Sequence, residues 1–263
     1  MKFTSTVYRL KDAYRKLSVP QFTIVTGLVI IFFGTLILSS PLCSSSKVGL
    51  WEAFFTSTSA ITVTGLTIID IGVDLNFFGQ VFLALMLLSG GLGLMAITIF
   101  LQGFVVKGTK LRTRLDKGKT LDEFGVGGIG RTFQSIAITA TCIISFGAIV
   151  LYFFGFVDIQ NHWERLWSSI FHSISAYNNA GFSLWSNSLQ GYRTNFLVNT
   201  VFVFLIVMGG LGWRVIDDIW SHKENLSYQK LSLHSRLVIR TSLSLILFGS
   251  FCLLYTSPSP RDS

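Results

Sequence analysis

The sequence predicts an all-α integral membrane protein built from tandem repeats. Half of its 263 residues are hydrophobic, only 13% are charged, and the mean hydropathy is +0.58. Such a composition is typical of chains that place apolar surface in lipid, so we expect the lipid bilayer as the surrounding phase. A motif that occurs twice between apolar stretches indicates the tandem arrangement.

Four apolar stretches are predicted to be membrane-spanning helices, and a fifth begins near Leu237. Each is close to the roughly 20 residues that a helix needs to cross about 30 Å of hydrocarbon. The four stretches are Phe22–Leu38, Phe77–Leu101, Ile136–Val157 and Phe196–Val215.

The duplicated motif occupies Trp51–Gly65 and Trp167–Gly181, 116 positions apart. Five features recur at the same offsets: Trp51/Trp167, Phe55/Phe171, Ser57/Ser173, Ser59-Ala60/Ser175-Ala176 and Gly65/Gly181. A Gly-Gly-Leu-Gly sequence follows each copy, at 90–93 and 209–212. Recurrence at one fixed spacing indicates an internal duplication.

The basic residues indicate how the chain is oriented in the membrane. The N-terminal segment holds five Lys and Arg residues, the 103–131 loop seven and the 214–240 stretch five, whereas the alternate loops carry only Lys47, Arg165 and Arg193. By the positive-inside rule the N-terminus and both basic loops are cytoplasmic. The net charge of +8 is therefore an orientation signal, and no nucleic-acid partner is expected.

This topology predicts that both copies of the motif are re-entrant loops. The helix before each copy leaves the membrane outward and the helix after it returns, so each copy enters and exits on the outer side. We expect half-helices over Leu50–Ser59 and Leu166–Ala176, each followed by an extended segment that ends in glycine. Non-helical backbone at membrane depth is tolerated only where protein buries it or where it lines a wet cavity. A conduction path is the predicted use.

The chemistry of the extended segments suits a monovalent cation. Backbone carbonyls can replace the hydration shell of the ion without a fixed negative charge that would hold it too tightly. Glycine provides backbone dihedrals that other residues resist. The predicted ion-binding residues, acting through backbone carbonyls, are Thr62, Val63, Thr64 and Gly65 in the first copy and Asn178, Asn179, Ala180 and Gly181 in the second.

Four motifs carry a resemblance to a known family. They are Ser-Ala-Ile-Thr-Val-Thr-Gly-Leu at 59–66, Asn-Asn-Ala-Gly-Phe at 178–182, the two Gly-Gly-Leu-Gly sequences, and Leu-Ser-Leu-His-Ser-Arg at 231–236. With them the chain resembles the membrane subunits of the Ktr/Trk/HKT superfamily of potassium transporters over nearly all of residues 20–250. The resemblance implies four repeats of helix, pore loop and helix around a pseudo-fourfold axis, with Gly65 and Gly181 as two of four filter glycines. It also implies potassium uptake across the plasma membrane.

Among the subfamilies the chain looks most like the bacterial Ktr type, because the first repeat begins at residue 20 and leaves no room for an additional N-terminal helix pair. That likeness implies a bacterial inner-membrane location, a homodimer, and a cytoplasmic ring of nucleotide-binding regulatory subunits. It also implies sodium as a candidate coupling ion. The Gly-rich segment Lys107–Arg131 is either a docking surface for that ring or a flexible connection.

The predicted organisation divides the chain into seven segments. We interpret the last as an artefactual tail that resembles a translated sequencing adapter, and we expect the natural protein to continue through two further repeats, because four repeats need roughly 460 residues. The segments are a cytoplasmic N-terminus 1–19, the first repeat 20–102, a basic loop 103–131, the second repeat 132–220, a cytoplasmic loop 221–236, the start of a third repeat 237–251, and the tail 252–263.

Two alternatives remain beside the transporter. One is a two-repeat potassium channel subunit that dimerises, although tandem-pore filters usually contain Thr-x-Gly-Tyr-Gly and neither copy does. The other is an intramembrane protein without transport function, such as an enzyme that uses buried Ser, His and Asn, but a duplicated loop ending in glycine has no use in hydrolysis. We therefore expect no enzymatic activity and no catalytic residues.

Other motifs predict no cofactor. Cys43, Cys142 and Cys252 lie far apart, without metal-ligand spacing. The Gly-rich sequence at 125–130 does not follow a strand, as a dinucleotide-binding loop would. His172, inside the second half-helix, is interpreted as a hydrogen-bonded packing residue.

Overall fold

The computed structural model describes residues 19–46, 48–91, 126–221 and 231–256. Across these ranges the chain is helical, with one isolated bridge between Ser44 and Leu75 and no strand. This confirms the prediction of an all-α protein. The N-terminal segment, nearly all of the basic loop 103–131, much of the 221–236 loop and the end of the tail lie outside the described residues.

The first group of helices runs from residue 19 to residue 91. Pro20 lies in the first turn of α1, where its missing N–H interrupts no helical hydrogen bond. The Glu52 carboxylate accepts a hydrogen bond from the Gly49 N–H at 2.8 Å and so caps the start of α2. The helices are α1 (Val19–Leu38), α2 (Leu50–Thr62), the short α3 (Ile71–Asp74) and α4 (Phe77–Gly91).

The second group likewise places one helix between two apolar helices. At the end of α5 the Phe156 N–H bonds to the Leu151 carbonyl at 2.8 Å and forms a π turn. The Asn161 side chain caps α6 by accepting from the Trp163 N–H at 3.0 Å. The elements are α5 (Val126–Val150), the π turn Leu151–Gly155, α6 (His162–Tyr177), a 3₁₀ turn (Gln190–Tyr192) and α7 (Phe196–Leu211).

Among the described residues, two helices are long and apolar enough to cross a membrane, Gln134–Gly155 and Leu233–Thr256. A third span results if Phe196–Leu211 and Trp213–Trp220, which are separated by a 94° bend, are taken together. Thr23–Leu38 and Phe77–Gly91 are shorter apolar helices. The predicted apolar segment from Phe196 to Val215 is not one continuous helix, because α7 ends at Leu211 and Gly212 adopts a φ of +80°.

The described residues fall into two compact units, the first ending at Ile206 and the second beginning at Val207. In the first unit α2 packs against α1 and α4, and α6 packs against α4 and α5. Its core contains fully buried Leu83, Leu87 and Phe171. The second unit contains α8 (Trp213–Ser221) and α9 (Leu233–Thr256), which contact each other.

Candidate functional site

Helices α2 and α6 end in the same capped turn. Val63, the first residue after α2, and Asn179, the second residue after α6, adopt the left-handed conformation with φ of +54° and +56°. The next N–H reaches back five residues, from Thr64 to the Ser59 carbonyl at 2.9 Å and from Ala180 to the Ser175 carbonyl at 2.8 Å. This is the Schellman arrangement, which satisfies helix-end carbonyls and reverses the direction of the chain.

The turns bring Gly65 and Gly181 against each other. Both have positive φ, +82° and +71°, a conformation that glycine adopts without strain. A Cβ on Gly181 would lie 3.6 Å from the Gly65 Cα, and a Cβ on Gly65 would collide with the Ala180 carbonyl oxygen. The structure therefore places the backbones of the two predicted ion-binding segments next to each other.

In each half-helix one buried serine forms a hydrogen bond to the backbone that follows the glycine. The Leu66 N–H donates to Ser59 Oγ at 3.0 Å, and Ser175 Oγ donates to the Phe182 carbonyl at 2.7 Å. The positions are equivalent, but the polarity of the hydrogen bond is reversed. Sequence reasoning recorded the recurring serines without assigning them this role. Their constant distance of six residues before the glycine was the available signal.

The recurrence continues past the glycines. The Ile69 N–H donates to Thr67 Oγ1 at 3.2 Å, and the Trp185 N–H donates to Ser183 Oγ at 3.1 Å. Both are short hydroxyl-to-backbone turns. We name Leu66–Ile69 the first return limb and Phe182–Trp185 the second return limb.

The side chains of the predicted ion-binding residues differ between the copies in exposure and in hydrogen bonding. Thr62 belongs to α2, which continues three residues beyond the predicted end of the half-helix. Its hydroxyl donates to the Thr58 carbonyl at 2.8 Å and lies 2.7 Å from the Thr64 hydroxyl, and both threonines are exposed. Asn178 and Ala180, their counterparts, are buried. The Asn178 amide nitrogen donates to the Ile174 carbonyl at 2.8 Å.

The first Gly-Gly-Leu-Gly sequence lets α4 approach both half-helices. A Cβ on Gly90 would lie 2.5 Å from the Ile61 carbonyl oxygen and 2.9 Å from that of Ala60. A Cβ on Gly91 would collide with the Asn178 side chain. The remaining two residues of this motif lie outside the described ranges.

A side-chain pair also joins α4 to α6. Trp167 Nε1 donates to Gln80 Oε1 at 2.7 Å, and Gln80 Nε2 donates to the Leu75 carbonyl at 3.0 Å. Trp51, the counterpart of Trp167 in the first copy, is 74% exposed. The recurring tryptophans therefore have different surroundings, which their identity alone does not reveal.

His172 is buried and hydrogen-bonded, as the sequence predicted. Its ring contacts the Ser168 carbonyl and the second return limb. Tyr192, which packs on Phe156 and Trp185, donates to the Asp158 carboxylate at 2.8 and 2.7 Å. Burial and this carboxylate raise the pKa of Tyr192, so its hydroxyl stays a donor.

The electrostatics of the half-helices favour a cation near their C-terminal ends. Each carries an acid in its first turn, Glu52 and Glu164, where the helix dipole is positive. Their C-terminal ends, where the dipole is negative, lead into the Gly65 and Gly181 turns. The eight predicted ion-binding residues include no acidic side chain. Within the described ranges, no group of three His, Cys, Asp or Glu residues could hold a metal ion.

Comparison with known proteins also indicates cation transport. Residues 20–257 match the family TrkH, described as cation transport protein. The chain is 31% identical over 243 residues to Ktr system potassium uptake protein B of Bacillus subtilis (strain 168), covering 91% of this chain and 54% of that protein. It is 32% identical over 247 residues to potassium/sodium uptake protein NtpJ of Enterococcus hirae, covering 93% and 54%. The chain thus spans about half the length of these relatives.

The left-handed position after α6 gives a stability prediction. Asn179→Val is expected to destabilise the protein by about 1 kcal/mol, because a β-branched residue resists positive φ and exposed Asn179 offers no packing gain. Asn179→Gly should leave stability nearly unchanged. The thermal unfolding midpoint in detergent measures both. The control is Asn187→Val, at an exposed position without positive φ. An equal drop in its thermal midpoint would contradict the explanation by the left-handed conformation of Asn179.

The close approach of α4 gives a second prediction. Gly90→Ala should lower the thermal midpoint, because the new Cβ would meet the backbone carbonyls of Ile61 and Ala60, which end α2. Gly249→Ala is the matched control, since Gly249 is also helical but has open space around it. That change should leave the midpoint unchanged or raise it. Similar midpoints for both variants would show that α4 does not approach α2 this closely.

Proposed function

The chain belongs to the TrkH family of cation transport proteins, and from that premise we propose that it forms two walls of a potassium uptake pathway. The relatives from Bacillus and Enterococcus are named as potassium and as potassium/sodium uptake proteins. Their family is a cation transport family rather than an enzyme family. The observation that carries the proposal is the contact of Gly65 with Gly181 at the ends of two identically capped half-helices.

Each wall is a repeat of helix, re-entrant loop and helix, formed by α1, α2 and α4 and by α5, α6 and α7. Helix lengths support this. With 13 and 16 residues, α2 and α6 extend roughly 20 and 24 Å. Both are too short to cross about 30 Å of hydrocarbon. Each is followed by a chain reversal and lies between two apolar helices. Four such walls around a pseudo-fourfold axis would close the pathway.

Potassium, the transported substrate, binds to backbone carbonyls of Thr62–Gly65 and Asn178–Gly181. The carbonyl oxygens replace the water around the ion. Because these segments carry no acidic side chain, the ion is not held too tightly to leave. The negative ends of the two half-helix dipoles add attraction for the cation. Sodium is the candidate coupling ion, and the name of the Enterococcus relative, a potassium/sodium uptake protein, supports testing it.

The proposed assembly is a homodimer on a cytoplasmic ring of nucleotide-binding regulatory subunits, in a bacterial inner membrane. The concentration of Lys and Arg in alternate loops supports a cytoplasmic N-terminus. It would also place the basic loop 103–131 on the side of the ring. The mass of the affinity-purified complex tests both the dimer and the ring.

Uptake by the full-length gene product tests the proposed function. Expressed in a bacterium without its own potassium uptake systems, the protein should restore growth at low potassium and should take up rubidium as a tracer. Omitting external sodium tests the coupling. A protein that reaches the membrane in normal amounts and supports no potassium-dependent growth would contradict the proposal.

The ion preference of the pathway depends on Gly65. We expect Gly65→Ser to lower the ratio of potassium to sodium uptake roughly tenfold, about 1.4 kcal/mol of discrimination. Its side chain would press on the Ala180 carbonyl and strain a backbone with φ +82°. The measurement is competitive uptake of the two ions. Gly191→Ser, at a glycine with open space around it, is the control and should keep the original ratio. A normal ratio in Gly65→Ser would exclude this turn from the ion path.

A further inference from the structure

His172 connects the second half-helix to the chain that follows Gly181. Its Nδ1 lies 2.8 Å from the Ser168 carbonyl oxygen, within the same helix. Its Nε2 lies 3.0 Å from Ser183 Oγ and 3.4 Å from the Leu184 nitrogen, both in the second return limb. The ring is 1% exposed.

These partners determine the tautomer. A carbonyl oxygen can only accept, so Nδ1 carries the proton that is donated to Ser168. In a neutral imidazole Nε2 is then an acceptor, and the Ser183 hydroxyl and the Leu184 N–H donate to it. The imidazole therefore holds two donors of the return limb at a fixed distance from α6.

Aromatic packing fixes the plane of the ring. Trp185, the last residue of the same limb, stacks on His172 with ring centroids 4.1 Å apart and 22° between the planes. Phe156 packs edge-on from the π turn at 5.8 Å. Rotation of the imidazole would break both its hydrogen bonds and its stack. The second return limb is thus held by His172 as well as by Ser175.

The first repeat lacks this connection. The residue 116 positions before His172 is Thr56, which is fully buried. Its hydroxyl has no hydrogen-bond partner in the part of the chain that the structure describes. Thr67, the counterpart of Ser183, makes its hydrogen bonds within its own limb. The link from Ser59 to Leu66 has no equivalent of the histidine beside it.

We propose that His172 is a positioning residue that fixes the second return limb and thereby the carbonyls of Asn178–Gly181, so that this repeat sets the stricter ion preference of the two. The inference rests on the proposed function. The imidazole does not contact the ion. It acts through Ser183 and Leu184, which lie two and three residues beyond Gly181.

Two amide variants separate this role from packing. In His172→Gln the terminal amide reaches the position of Nε2 and can still accept from the return limb. In His172→Asn it reaches only the position of Nδ1 and loses that contact. We expect the Asn variant to lower the ratio of potassium to sodium uptake roughly two- to tenfold, the equivalent of one hydrogen bond, and to raise the KM for potassium. The Gln variant should keep both values near those of the unmodified protein.

A second pair removes the partner instead of the histidine. Ser183→Ala and Thr67→Ala delete equivalent turns in the two limbs, but only Ser183 faces a histidine. Ser183→Ala should therefore lower the uptake ratio more than Thr67→Ala does. This pair decides the question if His172→Asn does not reach the membrane.

The outcomes distinguish the two proposals. Equal ratios in the Asn and Gln variants, or equal effects of Ser183→Ala and Thr67→Ala, would overturn the positioning role while potassium uptake by the unmodified full-length protein still supports the proposed function. A change confined to the maximal rate, with an unchanged uptake ratio, would also overturn it. If the unmodified protein takes up no potassium, the proposed function fails and the positioning role fails with it.

Discussion

Helices α2 and α6 both end within the protein, where their last backbone carbonyls must still find hydrogen-bond donors. A helix end leaves four carbonyls without helical partners, and in hydrocarbon each unsatisfied group costs several kcal/mol. The Schellman turns meet part of this need at Ser59 and Ser175, whose carbonyls accept from Thr64 and Ala180. The left-handed residue that the turn requires also reverses the chain.

Chain reversal has a consequence for packing. After each turn the backbone adopts positive φ again, which glycine provides, and the two segments approach so closely that a Cβ on Gly65 would collide with the Ala180 carbonyl oxygen. Helix α4 then packs across both helix ends through Gly90 and Gly91, which leave room for the Ile61 carbonyl and the Asn178 side chain. One local backbone requirement thus determines which residue types can occupy three separate elements.

The sequence predicted helices over the apolar stretches and the equivalence of Gly65 and Gly181, because apolar length and fixed spacing are properties of the chain itself. It did not predict partners. In the first Gly-Gly-Leu-Gly sequence Gly90 allows a close approach of α4, and in the second the last glycine, Gly212, follows the end of a helix with φ +80°. Likewise Ser59 accepts and Ser175 donates at equivalent positions. A hydroxyl can do either, so only the folded surroundings decide. Assigning these residues to an ion path remains a prediction.

The two repeats are alike in backbone and unlike in what holds it. The φ values match, and so do the hydrogen bonds at the helix ends and within the return limbs. Behind that backbone, His172 meets two donors where Thr56 meets none among the described residues. The backbone of two duplicated segments can therefore keep the same path while one buried side chain changes the hydrogen bonds that hold one of them. If the proposed ion path is correct, its two carbonyl segments have the same backbone conformation but different side-chain hydrogen bonds behind them.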